Sequence, residues 1–186
     1  MEWNEATGEN LSCIPAATSR RQQLWIPPPL GWAKCNYDAF NHLDNRDSGL
    51  GWIIRNSSGR YLDGGMGKYQ GRFIYAEAEC SALIWALQST WSMGYTKVIF
   101  EGDNINIVRL INGDGLNLKL QHYINTIIRW TSMFSEIQFT YKHRSSNSCA
   151  DIPAKRGAVS DRQWGLFHTC PSFLDYTVNN DRTNAS

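Results

Sequence analysis

Residues 76–103 read AEAECSALIWALQSTWSMGYTKVIFEGD and contain a long helix, its stop and a strand. Apolar residues recur at helical spacing from Ala76 to Met93, Gly94 ends the run, and Thr96 to Glu101 gathers Val98, Ile99 and Phe100 as a short strand. Within the helix, Ala82, Leu83 and Ala86 share the face of Glu79, and that apolar stripe is bound for the core. An unpaired ionised carboxylate there would cost several kcal/mol. Glu79 must therefore be protonated, paired with an Arg or Lys at the core edge, or bound to a cation. Glu77 escapes the difficulty, because its helical neighbours Ser81, Ile84 and Gln88 make a more polar face.

Upstream, Gly31 to Asp38, Gly49 to Arg55 and Arg60 to Lys68 read as three strands, with Asn56-Ser57-Ser58-Gly59 as a hairpin turn. They predict an antiparallel meander. Downstream, Asn104 to Asn112 and Lys119 to Phe134 predict helices, Glu136 to Lys142 a last strand and Cys149 to Ala158 a last helix. Strands followed by alternating helices and strands predict an α/β domain with a mixed five-stranded sheet and helices packed on it. Residues 1–30, polar and then stiffened by Pro27-Pro28-Pro29, are expected to be a flexible leader, 31–159 the domain, and 160–186 a C-terminal tail in which Trp164, Leu166 and Phe167 could dock.

Three further carboxylates stand where strands end or helices begin. Alternation places Lys34, Asn36 and Asp38 on one face of the first strand; such a strand is usually central, so Asp38 needs a partner unless it lies past the strand and caps a turn. Asp103 follows a strand and precedes a helix, where open α/β sheets place their sites, although capping alone would explain it. Asp151 opens the last helix, where the helix dipole favours an acid, and Pro153 suits the same first turn. As a set, Asp38, Glu79, Asp103 and Asp151 suit a hard cation such as Mg²⁺ or Mn²⁺ and disfavour zinc. Two such ions can assist phosphodiester hydrolysis.

The 186 residues allow one domain with a sizeable core, and 42% apolar with 19% charged residues excludes disorder throughout. A net charge of +1 neither supports nor excludes a nucleic-acid partner. Five cysteines, irregularly spaced and without a CxxC pair, fit reduced thiols in the cytoplasm or nucleus. No apolar run approaches the roughly 18 residues of a membrane span, so no membrane partner is expected.

The segments Lys34-Cys35-Asn36-Tyr37-Asp38-Ala39-Phe40, Gly51 to Gly59, Ala78-Glu79-Cys80-Ser81-Ala82-Leu83, Phe100-Glu101-Gly102-Asp103 and Asn147 to Lys155 resemble the ribonuclease H family. The similarity is strongest to its plant branch, found at the ends of non-LTR retrotransposon reverse transcriptases and as stand-alone genes; the approach Trp25 to Trp32 resembles that branch too. It covers about residues 25–158. It implies the ribonuclease H-like fold, with three antiparallel strands then two parallel additions, and hydrolysis of the RNA strand of RNA–DNA hybrids by two Mg²⁺ or Mn²⁺ ions. The family's metal-site carboxylates fall on Asp38, Glu79, Asp103 and Asp151, again selecting Glu79 over Glu77. His143 and Asn147 are auxiliary candidates: the family's mobile loop histidine lies at a different offset from His143, whose simpler role is structural. Departures from the family pattern flank the site: Asn104 for Ser, Ser145-Ser146 for a charged pair and Ile152-Pro153 for Ala-Leu. The segment Asn112 to Leu120 is too short for the basic protrusion some relatives carry. The expected partner is an RNA–DNA hybrid bound by a monomer; the competing expectation is a catalytically decayed, retroelement-derived domain that binds nucleic acid without cutting. Trp52, Trp85, Trp91 and Trp130 are expected to serve packing, and Lys142-His143-Arg144 to be a solvated strand end.

Overall fold

A computed structural model describes residues 24–41, 47–69 and 74–184. Strands β1 (Ala33–Phe40), β2 (Ser48–Arg55) and β3 (Tyr61–Tyr69) form the antiparallel meander. Helix α1 (Tyr75–Ser92) then leads to β4 (Lys97–Gly102), which pairs parallel to β1. Helices α2 (Ile105–Ile111) and α3 (Gln121–Thr131) lead to β5 (Glu136–Tyr141), parallel to β4, and α4 (Ser148–Val159) follows a 3₁₀ turn at Arg144–Ser146. The chain continues through β6 (Trp164–Phe167) and α5 (Ser172–Asn184).

The sheet has six strands in the order β5-β4-β1-β2-β3-β6, not five, because β6 pairs antiparallel with β3. The composition of 160–186 predicts a tail, but Trp164 packs against Trp52 and Trp85, with ring centroids 5.4 and 4.4 Å apart, and seats β6 at the sheet edge. Leu174 and Val178 of α5 are buried with Ile53, Cys149 and Ala150, so α5 packs against both α4 and β2. Residues 1–23 of the expected leader lie outside the described residues. Trp25, which follows them, is buried.

Alternation along β1 divides the interior. Cys35, Tyr37 and Ala39 enter the larger core with α1, α3 and the apolar side of β2 and β4. Lys34 and Asn36 face the α4 side. Helix α4 lies directly on strand backbone: a Cβ at Gly51 would sit 2.5 Å from the Ala150 carbonyl oxygen, and one at Gly157 would sit 2.5 Å from the Gly67 oxygen. Small residues on both sides thus set the height of α4 over the sheet. The parallel pair β1 and β4 directs Asp38 and Asp103 to one sheet end, and α1 and α4 begin there.

Candidate metal centre

One carboxylate oxygen from each of Asp38, Glu79 and Asp103 falls within 4.8 Å of the other two. Asp38 and Glu79 are fully buried. Asp38 lies within β1, which runs on to Phe40, so it is a strand residue and not a turn cap past the strand. The Ala39 amide donates to Asp38 Oδ1 at 2.9 Å and to Glu79 Oε1 at 3.3 Å, and it is a shared neutral donor to both groups. Asp38 Oδ2 and Glu79 Oε2 are buried and make no hydrogen bond.

Among the described residues no ion pair reaches Asp38, Glu79 or Asp103, so the salt-bridge alternative for Glu79 does not hold. Ala82, Leu83 and Ala86 are fully buried beside Glu79, as the helical stripe predicts. Glu77 is half-exposed and instead accepts the Ile74 amide at 3.3 Å, capping α1.

Burial, and then the charges of Asp103 and Asp151, push the Asp38 carboxyl up to about 7. Burial, reinforced by Asp38 and Asp103, holds Glu79 well above the usual carboxylate range. Burial also raises Asp103, against the opposing pull of Arg144. Acids that resist ionisation together, with buried oxygens lacking donors, make an arrangement that a cation would stabilise. The all-oxygen donor set fits a hard divalent ion.

Asp151 stands in the first turn of α4 but outside the cluster of three. Its charge still reaches Asp38 and Asp103. Lys155 Nζ donates to its Oδ2 at 2.6 Å, and Arg144 Nη2 lies 3.5 Å from its Oδ1. His143 is exposed and its ring nitrogen accepts the Ser145 amide at 3.2 Å. Asn147 is fully buried and bonded to β1. Asn104 caps α2 by accepting from the Asn106 and Ile107 amides, so this departure beside Asp103 preserves a capped helix.

Sequence reasoning missed two groups. Tyr75 opens α1 and points its hydroxyl at Asp103 Oδ1, 3.5 Å away. A buried polar network surrounds Asn36, whose Nδ2 donates to Glu101 Oε1 and Asn147 Oδ1, both at 3.1 Å. Its Oδ1 accepts from Arg55 Nη2 at 2.7 Å and Trp25 Nε1 at 3.1 Å. The alternation of Lys34 with Asn36 on a central strand was the available signal, but nothing local names the partners.

The sequence profile described as reverse transcriptase-like matches residues 36–157. No curated protein matches the chain. Among solved structures, RNase H1 from the halophilic archaeon Halobacterium salinarum NRC-1 is similar with a TM-score of 0.65 and 21% identity, over 68% of this chain and 97% of that one. The N-terminal RNase H domain of Rv2228c from Mycobacterium tuberculosis gives 0.60 and 18% identity, over 68% and 93%. LC11-RNase H1, isolated from compost and solved in complex with an RNA/DNA hybrid, gives 0.62 and 20% identity, over 68% and 96%. These likenesses carry the fold, and the profile match spans most of the chain. The chain belongs to the reverse transcriptase-like family and has the ribonuclease H fold.

Proposed function

We propose that this protein hydrolyses the RNA strand of RNA–DNA hybrids, with two Mg²⁺ or Mn²⁺ ions held by Asp38, Glu79, Asp103 and Asp151. The observation that carries the reading is the convergence of three carboxylates within 4.8 Å, two of them buried with an oxygen that no donor reaches. Bound there, divalent ions would supply water activation and charge neutralisation at the scissile phosphate. Asp38, Glu79 and Asp103 supply the convergent oxygens, and the first two must shed protons before they can bind a cation. The Tyr75 hydroxyl faces Asp103 Oδ1 at 3.5 Å. Arg144 is exposed beside the cluster and offers its guanidinium to the phosphate backbone. Asp151 completes the set once Lys155 and Arg144 yield its oxygens. The approach Trp25 to Trp32 supports assignment to the plant retrotransposon-type branch, and the four free cysteines among the described residues support a reducing cytoplasm or nucleus. A monomer is the working assembly.

Incubation of the purified protein with end-labelled RNA–DNA hybrid and Mg²⁺ tests the reading. The wild type should cut the RNA strand to 3′-hydroxyl and 5′-phosphate ends, and Asp103→Asn should lose at least ~10²-fold in rate while keeping its fold. Hybrid binding with no metal-dependent cleavage by the wild type would instead establish the decayed, binding-only domain.

A further inference from the structure

We infer that Asn147 is a positioning residue that pins the start of α4 to β1, and so sets where Asp151 stands relative to Asp38, with Asn36 as the anchor. The inference rests on the reading of Asp151 as the carboxylate that completes the metal site. An Asn just before a helix ordinarily turns its side-chain oxygen onto the first amides of that helix. Asn147, immediately before Ser148, makes no such bond. Its side chain is committed to the sheet instead: Oδ1 accepts from Asn36 Nδ2 at 3.1 Å, and Nδ2 donates to the Tyr37 carbonyl at 2.9 Å. Tyr37 directly precedes Asp38. On the helix side, the Asp151 amide donates to the Asn147 carbonyl at 3.2 Å. One buried side chain therefore joins the backbone carrying Asp38 to the helical turn carrying Asp151.

The anchor cannot turn. Asn36 has two N–H bonds to give and two lone pairs to fill. All four are used, by Glu101 and Asn147 on one side and by Arg55 and Trp25 on the other. The second oxygen of Glu101 is held by Lys34 Nζ at 3.0 Å, so Glu101 too is fixed. The side-chain partners of Asp151, Lys155 and Arg144, are long and half-exposed or more, and neither ties it to the sheet. Placement to within about 1 Å decides whether a carboxylate can serve a reacting centre, and here that placement runs through Asn147.

A double-mutant cycle in Mn²⁺ affinity, read by calorimetry without substrate, tests this. Asn147→Ala and Asp151→Asn should each weaken Mn²⁺ about tenfold, and the double variant should be no weaker than Asp151→Asn alone. Losses that multiply would overturn the inference, because Asn147 would then act independently of Asp151. Asn147→Ser separates pinning from capping: serine restores a helix cap but cannot reach Tyr37, so it should bind Mn²⁺ as poorly as the alanine variant, and recovery of wild-type affinity would overturn the inference. Leu174→Ala, which hollows the packing between α4 and α5, should lower the melting temperature without changing Mn²⁺ affinity. A wild type that binds no Mn²⁺ would remove the metal-site reading, and hydrogen exchange then decides the pin. The Ala150 and Asp151 amides should exchange at least tenfold faster in Asn147→Ala while those of β2 stay protected; unchanged exchange at Ala150 and Asp151 would overturn it.

Discussion

At Asp38, the buried carboxyl titrates far above its unfolded value, and this makes metal-free stability depend on pH in an unusual direction. The folded state binds a proton, at about 7, that the unfolded chain has released by about 4. Because the native state holds more protons across that window, the contribution of Asp38 to stability is fully present below about pH 4 and is lost as pH rises through 7. Urea unfolding in chelator should therefore show stability declining between pH 5 and 7, with the decline flattened in Asp38→Asn and opposed by added Mg²⁺. A pH-independent metal-free wild type would contradict the arrangement of the cluster. Glu79 was legible in the sequence because its buried face follows from helical spacing alone. The pairing of Asp151 with Lys155 was legible in principle, as residues four apart on one helix, but its standing apart from the other three was not. Asn36 was visible as a polar residue on a central strand. Its partners come from β2, β4, the turn before α4 and the segment before β1, and no local pattern joins them.

At the level of elements, α4 is the component whose placement decides the most. Gly51 and Gly157 admit it to contact distance with strand backbone. Gly51→Val would force α4 from the sheet, and a loss of about 3 kcal/mol or more by denaturant titration is expected, with Mn²⁺ binding weakened in the fraction that folds. A variant as stable as the wild type would show that the helix has room to spare. Asn104→Ala should cost ~1 kcal/mol through the lost α2 cap and leave Asp103 in place. The strands and helices from β1 to α4 were readable because each carries its own period or turn signal. Two later elements were not. β6 has four residues, too few for alternation to stand out, and pairs with β3 through a long-range tryptophan cluster. α5 is polar in composition, so propensity argues for a loose segment. Its Leu174, Val178 and Asp181, spaced four and three apart, were the overlooked sign of one packed helical face.

Over the whole molecule, Arg55 gathers contacts from distant parts of the chain. It is fully buried, its Nη1 donates to Asp181 Oδ2 of α5 at 2.7 Å, and its guanidinium carbon lies 3.6 Å from the centre of the Trp25 ring. Removing one member of such a pair leaves a buried charge uncompensated. Asp181→Ala should lower stability by about 3 kcal/mol in urea unfolding, whereas Asp175→Ala on the same helix, whose carboxylate joins no ion pair among the described residues, should change it little. Equal effects would place the weight of α5 in its apolar contacts alone. Arg55 and Asp181 are also 126 residues apart in the chain. At the roughly 5–20 residues per second of synthesis, the arginine waits about 6–25 s for its carboxylate. A nascent chain halted at residue 170 has already made β1 to β4 and the cluster of Asp38, Glu79 and Asp103, yet holds in Arg55 a cation whose Asp181 partner is not yet made. Ribosome-bound chains of increasing length should therefore resist protease only once residue 181 has cleared the exit tunnel, and α5 would act as the completion signal for folding of the ribonuclease H-fold domain.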